Sequence, residues 1–361
     1  MYNIMAMERI ANAQGVGSLN ITAPIEGISS YQEIQNWQDF SELKTVVSNT
    51  TKNIEILKAG GGILSDDGIL WKTESVDIED KKITVRGIDA IKMHNNQAVR
   101  GQHTISAPDA GYSNMLLAAA APGRDLLTVN FPANFPALPA PMQISWGHLG
   151  DALIKLALAG TFGYTPRKNA GAGYMYSDAY LGIDRTLPQN MTGLFSDQID
   201  NIDTIRILDD ISSYKNFAVV AGEGEGAARI WTTVDIRTSS LEPLRELFVD
   251  ARDLQKRYTK VDANGSTSEG IYTDSEYLEV LRSRGREKLA EAKRKNPVSI
   301  KATDSSIMQY GIDYALGDIV SVRLEKYHLD LTARVSSIYT VLEGGSKTAT
   351  PSLSDFKIIG E

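Results

Sequence analysis

Short stretches in which apolar and polar residues alternate dominate the chain from Gly17 to Asp89. They are rich in β-branched residues and are separated by turn sequences such as AGGG and SDDG. A period of two residues predicts strands, which we place at Glu42–Ser48, Asn53–Lys58, Gly68–Ile78 and Lys82–Ile88. Several short strands in one region are typical of a small barrel or sandwich.

A helical period begins after about Gly111. Ser145 is placed to cap a helix that ends at Gly160, because serine is a favoured N-cap residue. Apolar residues recur along this helix at intervals of three and four positions, at Trp146, Leu149, Leu153 and Leu156. We therefore expect one face of the helix to be buried.

The clearest helix signal lies between two β-rich stretches. Thr273 and Glu276 have the spacing of a capping box, and the basic residues 293–295 mark the other end of the helix. Strand patterns return on either side, at Phe217–Ile236 and Leu316–Gly345. Because no βαβ pattern repeats, the sequence predicts a β-rich α+β protein of several domains and not a doubly wound parallel sheet.

The stretch FAVVAGEGEGAAR, Phe217–Arg229, has the pattern of a dinucleotide-binding loop. Gly222–Ala227 satisfies G-x-G-x-x-A, and Glu242 follows at about the distance of a ribose ligand. Such a site also needs a helix directly after the glycines, because the helix N-terminus binds the pyrophosphate. The pattern alone therefore does not establish a nucleotide site.

The residues after the glycines favour a different structure. Arg229–Ile236 alternates with a period of two, which is typical of a strand, and the two glutamates within the loop would repel phosphate. We predict a glycine-rich hairpin in which Gly222, Gly224 and Gly226 allow backbone conformations with positive φ. A nucleotide-dependent enzyme is the least favoured function.

Two other patterns resemble a catalytic triad and a calcium-binding loop, but each lacks a feature that its function requires. Ser145, His148 and Asp151 are spaced by three, but nothing near Ser145 suggests the strained turn and oxyanion hole of a nucleophile. Val261–Asp274 resembles a calcium loop, yet Thr273 stands at the last ligand position. We expect a helix cap and a solvated hairpin, respectively, and no catalytic residue, metal or cofactor.

Charges of both signs surround the apolar centre of the segment LRELFVDARDLQ, Leu244–Gln255. The charged residues of interest are Arg245, Glu246, Asp250, Arg252 and Asp253. Mixed charge around apolar residues is typical of a salt-bridged junction, within the chain or between subunits. A solvated helix start would give the same pattern, so both interpretations remain open.

Composition narrows the functional classes. The chain has 361 residues and a formal net charge of −8, without the concentrated basic patch of a nucleic-acid-binding protein. It has no cysteine, which excludes disulfides, and its four scattered histidines do not favour a zinc site. The N-terminus lacks a signal-peptide pattern, and no stretch approaches the ~18 apolar residues that span a bilayer. We expect synthesis in a cytoplasm.

Four successive segments resemble the signature blocks of siphophage tail-tip hub proteins, a tail-associated structural family. They lie between Asn216 and Val322 and read NFAVVAGEGEGAAR, LRELFVDARDL, REKLAE and YGIDYALGDIVSV. The last block contains Gly317 and Asp318, and the segments WGHLGDALIKLALAGTFGY and LGIDRT extend the similarity towards Trp146. The first hundred residues match in general strand character alone.

The resemblance implies a homotrimer at the distal end of the tail tube. Each chain is expected to hold two small barrel-like domains that imitate two tube subunits, with inserted α/β modules. A distal tail protein and the tail tube would lie above, tip or fibre proteins would lie below, and DNA would pass through without specific binding. We expect the virion tail tip as the location.

The same resemblance implies a division of the chain into four parts. They are an N-terminal β-barrel-like tube domain at 1–105, a helix-containing module at 106–215, an α/β module at 216–300 and C-terminal strands at 301–361. The glycines of the hairpin, Arg229, the charged residues from Arg245 to Asp253, Gly317 and Asp318 become structural or interface residues. A tail-associated cell-wall hydrolase is the alternative, although we expect any attached lysin to be another polypeptide.

Overall fold

The computed structural model describes residues 4–11, 17–118, 127–168, 175–186, 194–199, 201–207, 211–261, 267–292, 298–302 and 308–359. These residues include 24 strands and five α-helices. The predicted β-rich α+β class is therefore confirmed.

The N-terminal lobe is an antiparallel sheet of seven strands with one short helix. The sheet order is β3-β4-β7-β6-β5-β1-β2. Alternate residues point into a core that contains Tyr31, Leu43, Trp71 and Val85. The elements are β1 Met5–Ala11, β2 Gly17–Pro24, β3 Ile28–Asn36, β4 Glu42–Ser48, α1 Thr51–Ile56, β5 Gly62–Leu64, β6 Leu70–Ile78 and β7 Lys82–Ile88.

The strand predicted at Asn53–Lys58 is wrong, because this segment contains most of helix α1. The side chain of Thr50 caps the helix and accepts a hydrogen bond from Asn53 N at 3.1 Å. The buried Asn53 amide then donates to the carbonyl oxygens of Glu26 and Ser48, at 2.9 and 2.8 Å. These local hydrogen bonds outweigh the alternating pattern of the segment.

A helical module follows the N-terminal lobe. Helix α4 packs into a core with Tyr112, Ile144 and Phe162. The elements are α2 Ala90–Met93, the 3₁₀ turn His94–Asn96, β8 Gln102–Ile105, α3 Pro108–Ala118, β9 Leu127–Asn130, β10 Met142–Ser145, α4 Leu149–Gly160, β11 Gly163–Lys168 and β12 Met175–Tyr180. β8 pairs with β10, and β12 lies between β11 and β9.

The predicted start of helix α4 is wrong. Ser145 belongs to strand β10, where it pairs with Gln102, and His148 occupies the N-cap position. Trp146 has φ 46° and is 71% exposed, so it does not join the buried face of the helix. Leu149, Leu153 and Leu156 are fully buried, as the helical period predicts.

Three short strands lead to an α/β module, in which one helix covers a three-stranded sheet. The strands are β13 Asp184–Arg185, β14 Leu194–Ser196 and β15 Ile202–Ile207. The module contains β16 Phe217–Ala221, the 3₁₀ turn Gly226–Ala228, β17 Trp231–Asp235, β18 Glu246–Asp250, β19 Arg257–Val261, β20 Thr267–Ile271 and α5 Asp274–Glu291. The sheet order is β17-β16-β18, with β16 and β18 parallel.

The capping box predicted for helix α5 is confirmed. The Thr273 hydroxyl accepts from Glu276 N at 3.3 Å, and Thr273 N donates to the Glu276 carboxylate at 2.8 Å. The antiparallel pairing of β19 and β20 confirms the second predicted hairpin. Its tip and the basic residues 293–295 lie outside the described residues.

The C-terminal lobe is built from strands that are distant in sequence. The remaining elements are β21 Val298–Ala302, β22 Ile319–Leu324, the 3₁₀ turn Glu325–Tyr327, β23 Leu329–Glu343 and β24 Ser346–Ile358. β13 and β14 run parallel to β22, while β23, β24, β21 and β15 continue the sheet. The core of this lobe contains Phe195, Tyr314, Val322 and Ile338.

One strand joins the two lobes. Residues 329–334 of β23 pair with β22 of the C-terminal lobe, and residues 337–342 pair with β3 of the N-terminal lobe. Leu331 and Val335 belong to the C-terminal core, whereas Leu342 packs against the N-terminal core. Fourteen of the 24 described strands, those of the two lobes, thus form one sheet that runs from β15 to β2 without a closed barrel, so barrel closure stays a prediction.

Candidate interaction surface

The glycine-rich stretch closes a β-hairpin, because β16 and β17 pair antiparallel along their whole length. Beyond the ladder, Gly222 N donates to the carbonyl oxygen of Ile230 at 2.8 Å, and Ile230 N donates to that of Glu223 at 3.0 Å. A single 3₁₀ turn, Gly226–Ala228, then leads into β17, so no α-helix begins at this loop. The predicted hairpin is confirmed.

Each of the three glycines has its own structural reason. Gly222 does not have the positive φ that was predicted for it. A β-carbon there would lie 2.4 Å from the Tyr277 hydroxyl, so glycine lets helix α5 approach the hairpin. Gly224 has φ +106°, and its β-carbon would lie 2.8 Å from the carbonyl oxygen of Ala228. Gly226 has φ +51° and faces open space. The glycines therefore shape the turn and its packing.

Arg229 ties the hairpin to strand β18. Its Nε and Nη2 donate to the carbonyl oxygens of Gly222 and Ala221, at 2.9 and 2.6 Å, and Nη2 also pairs with Asp250. Asp250 accepts in turn from Arg252, whose Nη2 lies 2.5 Å from Oδ2. Hydrogen bonds from Arg252 and then Arg229 hold the pKa of Asp250 well below its ordinary value. The carboxylate thus holds two guanidinium groups in place.

The other predicted charged residues lie within the same module. Arg245 Nη1 donates to the carbonyl oxygen of Ile211 at 2.5 Å, and Asp253 pairs with Arg284 at 3.1 Å. Glu246 is exposed at the start of β18. A helix start in this segment is wrong, because Glu246–Asp250 pairs with β16 as a strand. A role in an interface stays a prediction.

Asp318 joins two segments of the C-terminal lobe, residues 183–185 and its own turn from Ala315, and is 2% exposed. Its Oδ1 accepts from Ile183 N at 2.8 Å, and its Oδ2 accepts from Ala315 N at 2.9 Å. Arg185 Nε donates to the same Oδ2 at 2.5 Å. A carboxylate suits this position because it accepts from two backbone groups and one cation at once.

Trp37 lies where the two lobes meet the helical module. A β-carbon at Gly317 or at Gly163 would lie 2.2 or 2.3 Å from its indole ring, so both glycines make room for the tryptophan. The Arg334 guanidinium lies 5.5 Å from the ring centroid, and the Tyr180 ring packs edge-on at 4.9 Å. Sequence reasoning missed Trp37, because its partners lie far along the chain.

The residues considered for catalysis are arranged around Asn95, which the sequence analysis did not identify. His148 Nδ1 lies 3.0 Å from the Asn95 carbonyl oxygen, and Asp151 accepts from Asn95 Nδ2 at 3.0 Å. Ser145 lies in β10 and does not complete a triad with them. The described part of the chain contains no group of three or more His, Asp or Glu placed to hold a metal ion. Within the same residues no helix could cross a membrane.

Three solved structures share this fold. The tail protein from Neisseria meningitidis MC58 has a TM-score of 0.54 at 13% identity, covering 98% of this chain and 96% of that one. The 43 kDa tail protein of prophage MuSo2 from Shewanella oneidensis has a TM-score of 0.55 at 14% identity, covering 97% of this chain and 98% of that one. Prophage tail protein gp18 from Listeria monocytogenes EGD-e has a TM-score of 0.53 at 11% identity, covering 93% of this chain and 91% of that one.

A sequence family shows a closer relationship. The model of the family described as Siphovirus ReqiPepy6 Gp37-like protein matches residues 114–353, which is 240 of the 361 residues. The matched region includes the glycine hairpin, the charged strand β18 and the Asp318 junction. No curated protein sequence matches significantly. The chain therefore belongs to the siphovirus ReqiPepy6 Gp37-like family.

Proposed function

We propose that the chain is the hub of a phage tail tip, a homotrimeric ring that joins the tail tube to distal tip or fibre proteins. The observation that carries this proposal is the presence of two β-rich lobes, each with its own core, in one chain. Three copies supply six lobes, which suits a tail tube of six-fold symmetry. In this proposal each lobe occupies the position of one barrel-like tube subunit in the ring.

The joining of the lobes supports the same role. Strand β23 pairs with both lobes and places side chains in or against both cores, so the lobes have a fixed mutual orientation. A protein that occupies two adjacent positions of a six-fold ring needs such a fixed relation, because independent lobes would lose the register of the ring. The α/β and helical modules then lie outside the tube-like part.

A formal net charge of −8 suits the lining of a DNA conduit. Phosphate is repelled by an acidic surface, so DNA passes without being held. The chain is a structural protein and not an enzyme, made in the bacterial cytoplasm and placed at the virion tail tip. A distal tail protein and the tail tube bind one side of the ring. Tip or fibre proteins bind the other.

The proposed parts of the chain follow the predicted limits. They are a tube-like domain at 1–105, a helical module at 106–215, an α/β module at 216–300 and closing strands at 301–361. Strands β13, β14, β15 and β21 come from the two middle parts and add to the sheet of the C-terminal lobe. The hairpin glycines and Arg229 keep the α/β module folded. The charged residues of β18 and its flanks serve assembly, and Gly317 and Asp318 hold the lobe junction.

Electron microscopy of the purified full chain, alone and with the distal tail protein, tests the proposal. We expect class averages with three-fold symmetry, a central pore and six densities around it. Mass photometry should give three times the chain mass of 39.4 kDa. Single copies in both preparations, or a ring of another symmetry, would overturn the proposal.

A further inference from the structure

The α/β module has a hydrophobic core of its own. The buried residues of this core all lie between Ala218 and Leu289. The core of the helical module, as far as the structure describes it, includes no residue from that range. Among the described residues, no apolar cluster therefore spans the boundary between the two modules. Both cores can stay intact if the modules separate.

The chain enters and leaves the α/β module at neighbouring points. Strand β15 precedes the module and β21 follows it, and their ladder ends at the pair Ile207 and Val298. On the side of the module, Lys215 N donates to the carbonyl oxygen of Ala292 at 3.0 Å. The two passes of the chain thus lie side by side, at one edge of the large sheet. A body that is attached at a single edge can turn about it.

The α/β module lies against a two-stranded sheet of the helical module, β8 and β10. One side of this sheet faces the helical core, where Ile105, Met142 and Ile144 are buried. Because side chains alternate along a strand, the residues between them point to the other side, which we call the polar face. The polar face consists of Gln102, Thr104, Gln143 and Ser145.

Hydrogen bonds join the α/β module to this part of the helical module. The hydroxyl groups of Thr104 and Tyr272 lie 2.6 Å apart, and the Ser283 hydroxyl of helix α5 donates to the carbonyl oxygen of Pro141 at 2.6 Å. Helix α5 packs beside β10, and β19 packs beside β8. Interfaces within a chain that hold permanently are large and apolar. A polar contact of this kind is typical of modules that move relative to each other.

Gln143 contributes no hydrogen bond to this contact. Its side chain is 9% exposed, and neither of its amide atoms has a hydrogen-bond partner among the described residues. A buried polar group without a protein partner costs free energy, because it has given up its hydrogen bonds to water. Separation of α5 from β10 returns the Gln143 amide to water. The amide therefore favours the separated form.

We propose that the α/β module swings away from the polar face as a rigid body, turning about the paired strands β15 and β21. The polar face is covered in the docked form and open in the undocked form, and both forms keep both cores. Strand β23 holds the two lobes in place throughout. The inference does not rest on the proposed function, because every residue that carries it lies within a single chain.

A pair of spin labels measures the swing. The chain has no cysteine, so labels attach only where one is introduced. We would combine Ala110→Cys on α3 with Ala290→Cys on α5, both at exposed positions, and measure distances by double electron–electron resonance. We expect two distances across the boundary, one for each form. A single distance would overturn the proposal.

A second label pair tests whether the module moves as a rigid body. Thr233→Cys with Ala290→Cys lies wholly within the α/β module, and both positions are exposed. This pair should give one distance under the same conditions. A distribution that broadens within the module as much as across the boundary would show local unfolding and overturn the rigid-body swing.

Substitutions at the contact should shift the two forms in opposite directions. Gln143→Leu removes the unpaired amide and should raise the ratio of docked to undocked protein about tenfold. Thr104→Val combined with Ser283→Ala removes both bridging hydrogen bonds and should lower the ratio about tenfold. A lower ratio in Gln143→Leu, or an unchanged ratio in the double variant, would overturn the proposal. The ring symmetry of the wild type tests the hub function separately.

Discussion

The indole of Trp37 lies directly against Gly317, at the point where the two lobes meet. A β-carbon at Gly317 would lie 2.2 Å from Cζ3 of the ring, and the glycine has φ +89°. Arg334 completes the contact, because its Nη1 donates to the Gly317 carbonyl oxygen at 2.6 Å and its guanidinium lies near the indole. The junction thus depends on a residue without a side chain.

Gly317→Ala should destabilise the chain by about 2–5 kcal/mol, because it adds backbone strain and overpacks the junction. Gly311→Ala is the matched control, since Gly311 has φ +83° with open space around it. We expect the control to cost about 1–2 kcal/mol from strain alone. Denaturant unfolding measures both, and equal losses would contradict the packing argument.

Asp318→Asn should cost about 3–5 kcal/mol, because it leaves the guanidinium of Arg185 without its buried carboxylate. Asp330→Asn removes an exposed pair with Arg323, whose side chains are 53% and 45% accessible, and should cost under about 1 kcal/mol. Thermal unfolding of the two variants gives the comparison. If Asp318→Asn lowers the unfolding temperature no more than Asp330→Asn does, the Asp318 carboxylate has no structural role.

Gly224→Ala should destabilise the α/β module by about 2–4 kcal/mol, since it combines strain at φ +106° with a close approach to Ala228. Gly226→Ala, at φ +51° in open space, should cost about 1 kcal/mol. Calorimetric unfolding reports the difference. We also expect no ligand affinity to be lost, and saturable NAD binding by the wild type would contradict a purely structural loop.

Arg252→Glu should weaken assembly, because it places a carboxylate beside Asp250 at the exposed end of strand β18. We expect at least about a tenfold higher dissociation constant with little change in thermal stability, as for an exposed interfacial charge. Arg257→Glu removes an equally exposed arginine of the same module, 68% accessible, and serves as the control. An unchanged oligomer and unchanged particle yield with Arg252→Glu would refute the prediction.

Asp89 should make stability depend on pH. Its carboxylate accepts from Ser41 N and Lys92 N, both at 2.7 Å, and burial raises its pKa from 3.8 to about 6. The folded carboxyl binds its proton at a higher pH than the unfolded one, so this contribution falls as pH rises from about 4 to 6. The difference is about 3 kcal/mol.

Comparison with Asp89→Asn isolates that contribution. The amide can accept only one of the two backbone hydrogen bonds, so the variant is less stable at every pH. The gap between wild type and variant should widen by about 3 kcal/mol between pH 7 and pH 4. Denaturant unfolding across this range measures it, and a constant gap would show that the pKa of Asp89 is ordinary.

Local patterns predicted the elements that local physics decides. The capping box of helix α5, the strand at Glu42–Ser48 and the glycine hairpin all depend on residues within a few positions of one another. Helix α1 was mispredicted because the side chains of Thr50 and Asn53 supply hydrogen bonds that override the alternation of the segment.

Long-range contacts were beyond the reach of the sequence. Strand β3 pairs with residues of β23 about 300 positions later, and no pattern in either strand identifies the other. The packing of Trp37 on Gly163 and Gly317 has the same origin. The mixed charges of β18 are visible in the sequence, but only the register with β16 shows that Trp231 lies on the same face of the sheet as Asp250.

Strand β23 also determines how the protein carries a mechanical load. A force that pulls the lobes apart along this strand acts in shear, so the hydrogen bonds of the ladder from Ser337 to Leu342 bear it together. The two lobes then behave as one rigid body under this force. In the proposed ring, the channel would widen when neighbouring chains slide past one another, and not when a single chain bends.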